Sequence, residues 1–190
     1  MYEYSPALQK TYTKIFQGPA RIAREKLHLT PNQISVIGFL FTLVGLGYFY
    51  FQYPFIGILL TLVGMLLDGL DGTMARLYNM KTPLGHIFET VFDGTHEILL
   101  YPVLAAAGYV HWWLAILASS VFLVIRIWKH YKENIFDAGF KRVSVLFGYF
   151  MGFEFVLAIT TAWVIFAIVV NTTKLMDVWA QKHTKNTVAA

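Results

Sequence analysis

The chain has 190 residues, of which 57% are hydrophobic and 14% charged, with a formal net charge of +4 and no cysteine. Soluble domains carry about 25% charged residues, so this composition, with a mean hydropathy of +0.55, excludes an ordinary soluble fold and points to a multispan membrane protein. The missing cysteines exclude a disulfide framework and a cysteine-based metal site.

In chain order, residues 6–28 come first. Leu8, Tyr12, Ile15, Phe16 and Ile22 alternate with Lys10, Lys14, Arg21 and Arg24, the pattern of a helix lying in the membrane interface. Gly18-Pro19 is expected to break or kink it. No apolar stretch occurs before residue 33, so a signal peptide is not expected. Apolar runs then fall at about 33–51, 54–75, 87–109, 111–127, 143–157 and 158–178. Tyr53-Pro54, Asn79 to Pro83, Gly108 to His111, and the basic stretch from Lys129 to Lys141 separate the first five. The last two show no clear break, and only the length needed for two spans places one near Leu157. With roughly 20 residues per span, six helices fit. The expected fold is an all-α integral membrane domain covering residues 1–190, with six transmembrane helices preceded by an N-terminal amphipathic interfacial helix.

The cations test this layout. Lys10, Lys14, Arg21, Arg24 and Lys26 precede the first span, and Arg76 and Lys81 lie between the second and third. Arg126, Lys129, Lys132, Lys141 and Arg142 lie between the fourth and fifth, and Lys174, Lys182 and Lys185 follow the sixth. All fifteen Lys and Arg thus fall on one side, which the positive-inside rule makes cytoplasmic, together with both termini. Their spread over four segments suits anionic lipid headgroups and argues against nucleic acid.

Residues 68–93 break the apolar pattern with Asp68, Asp71, Arg76, Glu89 and Asp93. Charges at membrane depth are costly and usually mark a functional site. Asp68 and Asp71, three apart, share a face of one helix, while Gly85, Glu89 and Asp93, four apart, form a stripe on the next. Two helices that each offer two carboxylates can build an oxygen-lined cage of the kind Mg²⁺ prefers when a phosphate completes its shell. Gly72, Ala75 and Gly85 are the smallest residues of the stretch and leave room for a bulky group against the backbone. At about 1.5 Å per residue, Asp68 and Asp93 lie some two turns below the cytoplasmic surface, within reach of both a soluble nucleotide and a lipid.

This spacing resembles the signature of the CDP-alcohol phosphotransferase family, D-x2-D-G-x2-A-R-x8-G-x3-D-x3-D. Asp68, Asp71, Gly72, Ala75, Arg76, Gly85 and Asp93 match in order, and Glu89 stands where the family has its third Asp. Leu29-Thr30-Pro31-Asn32 is similar to the L-T-P-N often found before the family's first span. The resemblance implies transfer of a phosphoalcohol group from a CDP-linked donor to an acceptor hydroxyl, with release of CMP. It implies that Asp68, Asp71, Glu89 and Asp93 bind Mg²⁺ or Mn²⁺, with two metal ions clamping the attacking and leaving oxygens, and that Asp93 also acts as general base. Asp68, Gly72, Ala75, Arg76, Gly85 and Asn32 would meet the nucleotide. A CDP-lipid, diacylglycerol-linked or analogous, is favoured as donor over a small CDP-alcohol, and the acceptor is a small polar or phosphorylated alcohol. The resemblance also implies a homodimer, and the compact size favours a prokaryotic plasma membrane.

Several readings stay open at this point. Glu89 keeps the charge but moves it outward by one methylene, which favours an active enzyme with altered metal geometry and leaves a catalytically inactive relative as the alternative. A shift toward a larger ion, Mn²⁺ or Ca²⁺, is a further consequence of that change. Arg126, Lys129, Lys141 and Arg142 would suit an anionic acceptor, although topology alone explains them. Glu97 continues the acidic stripe and would either line the acceptor site or pair with another polar group. Glu154 is balanced between a functional role and a structural pair. His86 and His96 are candidates for contacts behind the carboxylates, His86 being better explained as interfacial. His111-Trp112-Trp113 fits an outer aromatic belt. A divalent-cation transporter is the rival class, but the acids gather at one side and do not continue through spans one, four and six.

Overall fold

A computed structural model of the chain describes the backbone of residues 6–131 and 144–188, with the side chains of 6–12, 129–131, 174–188, His86, Glu89, Thr90 and Asp93 lying outside the described set. Every regular element among the described residues is helical. They are α1 (Pro6–Arg21), a π turn (Ile22–Lys26), α2 (Pro31–Tyr50), α3 (Pro54–Leu77), α4 (Pro83–Ala106), α5 (Trp112–Tyr131), α6 (Ser144–Met151) and α7 (Phe153–Val188). Pro31–Tyr50, Pro54–Leu77 and Phe153–Thr173 are long and apolar enough to cross a membrane, and Trp112–Trp128 is a shorter apolar helix. The described residues are thus all-helical, with three helices of the length and apolarity of membrane spans. α4 has the length of a span at 24 residues, but Glu89, Asp93 and Glu97 lie along it.

Local chemistry sets the helix ends. α2 starts with a capping box. Thr30 Oγ1 accepts from Gln33 N–H at 3.4 Å, and Gln33 Oε1 accepts from Thr30 N–H at 2.8 Å, with Pro31 occupying the first turn where no donor is needed. Gln52 and Asn79 take left-handed φ of 65° and 52° and end the connections before Pro54 and toward Pro83. Gly108, with φ of 80°, turns the chain between α4 and α5. These are the breaks the sequence marks with Tyr53-Pro54, Asn79 to Pro83, and Gly108 to His111.

Two boundaries differ from expectation. Of the break or kink expected at Gly18-Pro19, the break does not occur: α1 runs through Pro19 to Arg21. Phe16 packs over Gly69 before the proline, and Ala20 is buried with Ile34 and Met74 after it, so packing on both sides holds the helix through the missing donor. The distortion comes in the π turn that follows. The break between the last two helices falls at Gly152, not near Leu157. Gly152 has φ of 91°, a conformation that favours glycine, whereas Leu157 is a buried residue inside α7.

The chain forms two compact units that divide within α4, between Val103 and Leu104. In the first, α2 and α3 pack along their length and α1 packs on α3. Glycines let the α2 and α3 backbones approach. A Cβ on Gly45 would lie 2.9 Å from the Gly57 carbonyl oxygen, and one on Gly64 would lie 2.2 Å from Thr42 Oγ1 and 2.8 Å from the Gly38 carbonyl oxygen. Small residues at close helix crossings are the usual solution in lipid, where burial of apolar surface between helices gains little. In the second unit α5 and α6 each pack on α7. Leu157, Thr161, Val164, Ala167 and Asn171 are buried along α7, as are Ala115, Ala118, Phe122 and Ile125 along α5.

Candidate active site

The motif acids begin on the last turns of α3. Asp68 is exposed and Asp71, one turn on, is only 9% exposed. A carboxylate this buried needs hydrogen-bond donors, and α2 supplies one: the Ser35 hydroxyl donates to Asp71 Oδ2. Ser35 also lies 3.1 Å from the Pro31 carbonyl oxygen on its own helix. The close glycine-lined crossing of α2 and α3 brings a short serine side chain within reach of Asp71.

Arg76 folds back along α3. Its Nη2 donates to Thr73 Oγ1 at 3.1 Å, and the buried Thr73 hydroxyl donates in turn to the Gly69 carbonyl oxygen at 2.8 Å. A Cβ on Gly72 would come 3.4 Å from Arg76 Nη1. Gly72 therefore lies beside the guanidinium, and Thr73 anchors the arginine on the helix that carries Asp68 and Asp71.

The start of α4 meets the start of α2. Thr82 Oγ1 accepts from Gly85 N–H at 3.0 Å and caps α4. A Cβ on Gly85 would lie 3.0 Å from Asn32 Oδ1, so two residues 53 positions apart in the chain come together because one of them has no side chain. Phe39 of α2 stacks on Phe92 of α4 with centroids 4.2 Å apart, and Phe92 stacks on Phe88 at 5.1 Å. Phe88 and Phe92 immediately precede Glu89 and Asp93, so the stack ties that stretch of α4 to α2. The side chains of Glu89 and Asp93, and His86, lie outside the described set. His96 is buried farther along α4, and Glu97 is half-buried.

The N-terminal arm closes the other side of α3. Ala20, Ala23, Ile34 and Met74 form a buried cluster with Leu29, Leu67, Leu70 and Tyr78 against it. The Tyr78 hydroxyl donates to Glu25 Oε1 at 3.0 Å. Burial first, then the hydrogen bond and charge of Glu25, raise this phenol above its ordinary 10.0, while Arg21 and Arg24 pull it down.

The remaining candidates are dispersed. Arg126 is half-buried on α5 in the second unit, and the Lys129 side chain, Lys141 and Arg142 lie outside the described residues. Glu154, in the first turn of α7, pairs with His111 Nδ1 at 2.5 Å, which favours its structural reading. Sequence reasoning passed over Ser35 and Thr73. Their signal was a hydroxyl inside an apolar helix, one turn after Asn32 and two residues after Asp71.

Among the described residues no three acidic, histidine or cysteine side chains come together, since the motif's other two acids lie outside that set. The donor chemistry nevertheless fits a hard cation: all-oxygen, anionic, and including a buried carboxylate already held by a hydroxyl.

The described residues form a helical protein with apolar, span-length helices, in which Asp68 and Asp71 lie on α3 of a closely crossed helix pair. Residues 28–179 match the family described as CDP-alcohol phosphatidyltransferase, and the chain belongs to that family. It is 33% identical over 107 residues to archaetidylinositol phosphate synthase of Pyrococcus horikoshii, covering 55% of this chain and 57% of that protein. It is 30% identical over 122 residues to choline/ethanolaminephosphotransferase 2 of Arabidopsis thaliana, covering 57% of this chain and 31% of that one. The chain thus spans little more than half the length of the first relative and under a third of the second. The crystal structure of Mycobacterium tuberculosis phosphatidylinositol phosphate synthase with CDP-DAG bound superposes with a TM-score of 0.65 at 19% identity, over 90% of this chain and 94% of that one. At that identity the likeness concerns the fold alone.

Proposed function

We propose that the chain is a six-span enzyme that transfers a phosphatidyl-type group from a CDP-linked lipid to an acceptor hydroxyl and releases CMP. The observation that carries this reading is the motif itself: Asp68, Asp71, Gly72, Ala75, Arg76, Gly85 and Asp93 at the family's spacing, with Asp71 buried and hydrogen-bonded at the α2–α3 crossing. The names of two relatives, archaetidylinositol phosphate synthase and phosphatidylinositol phosphate synthase with CDP-DAG bound, support a CDP-lipid donor and a lipid-linked inositol phosphate as product.

Asp68, Asp71, Glu89 and Asp93 would hold Mg²⁺ or Mn²⁺, which supplies charge neutralisation at the donor pyrophosphate. Arg76, held by Thr73, would help orient this stretch or the nucleotide phosphates, and Asn32, Gly72, Ala75 and Gly85 would border the nucleotide. Asp93 accepts the proton of the acceptor hydroxyl as its oxygen bonds to the lipid-bearing phosphorus. The bond from that phosphorus to the bridging oxygen breaks, and CMP leaves with the electron pair. Asp93 then gives the proton to solvent. By their charge in the sequence, Arg126, Lys129, Lys141 and Arg142 suit an anionic acceptor, whereas Glu97 would accept only from an acceptor's hydroxyl groups. The site faces the cytoplasmic side of a plasma membrane, and the working unit is a homodimer.

The test is CMP release by purified protein in lipid with CDP-diacylglycerol, Mg²⁺ or Mn²⁺, and glycerol 3-phosphate, inositol 1-phosphate, inositol or serine. Release is expected with the phosphorylated inositol, and Asp93→Asn is expected to lower it by about 10²–10⁴-fold, the usual contribution of a general base. Ion flux into liposomes without CMP release would reject the enzyme for a transporter. A folded protein that binds CDP yet turns over no acceptor would mark an inactive relative.

A further inference from the structure

We propose that Ser35 is a positioning residue for the cation site, acting through Asp71. Ser35 lies outside the motif, on α2, 36 residues before the acid it reaches. Its hydroxyl donates to Asp71 Oδ2 while the Pro31 carbonyl oxygen, four residues back, stands 3.1 Å away as a second acceptor. Serine inside a helix habitually bonds that carbonyl. One hydroxyl proton cannot fully serve both acceptors, and a hydrogen bond to a carboxylate is roughly twice as strong as one to a neutral group. The bond to Asp71 therefore dominates and ties one of its two oxygens to the neighbouring helix.

That tie fixes the rotation of the carboxylate. Asp71 is nearly buried, on a helix pressed against α2 with Gly38 beside Leu67 and Gly64. The two helices cannot separate or rotate without moving Ser35 relative to Asp71. A hydroxyl on α2 thus transmits the register of the α2–α3 crossing to an acid on α3. Partners that orient a metal ligand from behind typically contribute 10–100-fold to metal affinity or activity. Ser35 sets cation affinity in this chain by holding Asp71 in one orientation.

The inference rests on the cation role of Asp71 proposed above, and the experiment separates the two. Mn²⁺ is titrated into the full-length purified protein without nucleotide, and free Mn²⁺ is followed by its EPR signal. Ser35→Ala is expected to weaken Mn²⁺ binding at least 10-fold in a protein that still folds but melts somewhat lower, because a buried carboxylate loses a donor, Ser35→Thr to retain wild-type binding, and Asp71→Asn to abolish binding at the site. Should Ser35→Ala not fold, Ser35→Cys, with a weaker donor of similar shape, carries the test and is expected to bind more weakly than wild type. Wild-type binding by Ser35→Ala (or by Ser35→Cys in its place), with binding lost in Asp71→Asn, overturns the role of Ser35 and leaves the cation site standing. Wild-type binding by Asp71→Asn overturns the cation role of Asp71 and the present inference with it.

Discussion

The two units of this chain pack their helices differently. In the first, α2 and α3 meet backbone to backbone through Gly38, Gly45, Gly57 and Gly64, each of which would place a Cβ within 3.2 Å of a neighbour's atoms. In the second, α7 buries Leu157, Val164 and Ala167, and side-chain volume fills the space. The first arrangement is closed to added atoms at backbone contacts, whereas in the second the close glycine, Gly148 of α6, meets the Phe153 ring and not a backbone, and loss of buried side-chain volume is the larger threat. The rigid pair carries Ser35, Asp68 and Asp71, whereas none of the motif residues lies on α5, α6 or α7. Fixed backbone geometry is therefore concentrated where two helices must hold one carboxylate in register.

The largest expected effect breaks this comparison most directly. Leu157→Ala in the second unit is expected to cost about 2–5 kcal/mol, the range for a buried leucine that leaves a cavity. Gly64→Ala in the first is expected to cost about 1–3 kcal/mol by overpacking, because the new Cβ meets Thr42 Oγ1 at 2.2 Å. Thermal unfolding in detergent measures both. CMP release per folded molecule distinguishes them: it is expected to survive Leu157→Ala and to fall with Gly64→Ala, whose crossing sets the Ser35–Asp71 contact. Equal activity losses in the two variants would remove the distinction between the units.

A smaller effect sharpens the picture at the entrance to α2. Thr30 and Gln33 cap that helix reciprocally, and Thr30→Ala is expected to cost about 1 kcal/mol. The fraying should reach Asn32 first and Gly85 through it, so amide exchange is expected to rise at the starts of both α2 and α4. Exchange confined to α2 would show that the Asn32–Gly85 approach transmits nothing.

Much of this was legible in the sequence because its signals are local. The turns at Tyr53-Pro54, Asn79 to Pro83, and Gly108 to His111 are marked by residues suited to left-handed or helix-starting conformations, and all three occur. The motif spacing placed Asp68 and Asp71 on one helix face from periodicity alone. What escaped depends on contacts between distant residues. Ser35 reads as an ordinary helical hydroxyl until α2 is laid against α3, and the approach of Gly85 to Asn32 cannot be read from two segments so far apart in the chain. Pro19 reads as a helix breaker because proline's local cost is visible in sequence, while the packing of Phe16 and Ala20 that opposes it is not. The break at Gly152 was hidden because Met151-Gly152-Phe153 is apolar throughout, so hydropathy carries no mark where a positive φ turns the chain.

The weakest expected effect concerns the arm that α1 lays on α3. Tyr78 donates to Glu25, and burial, with that hydrogen bond and charge, raises its phenol above 10.0. A raised phenol pKa means that the folded state holds the proton more tightly than the unfolded chain does. The contact's contribution is therefore fully present below about pH 10 and is lost as pH rises through the higher folded-state value. Amide exchange across Ile15 to Arg21 is expected to rise above pH 10 in the wild type beyond the intrinsic rate increase. In Tyr78→Phe it is expected to be elevated already at pH 8, with no further protection to lose. Lysines also begin to lose charge in this range, so a parallel rise in both proteins would assign the effect to them and not to Tyr78. A difference confined to the wild type would show that the arm is held by one titratable contact laid over an apolar cluster, unlike the α2–α3 crossing, whose glycine contacts contain nothing that pH can switch.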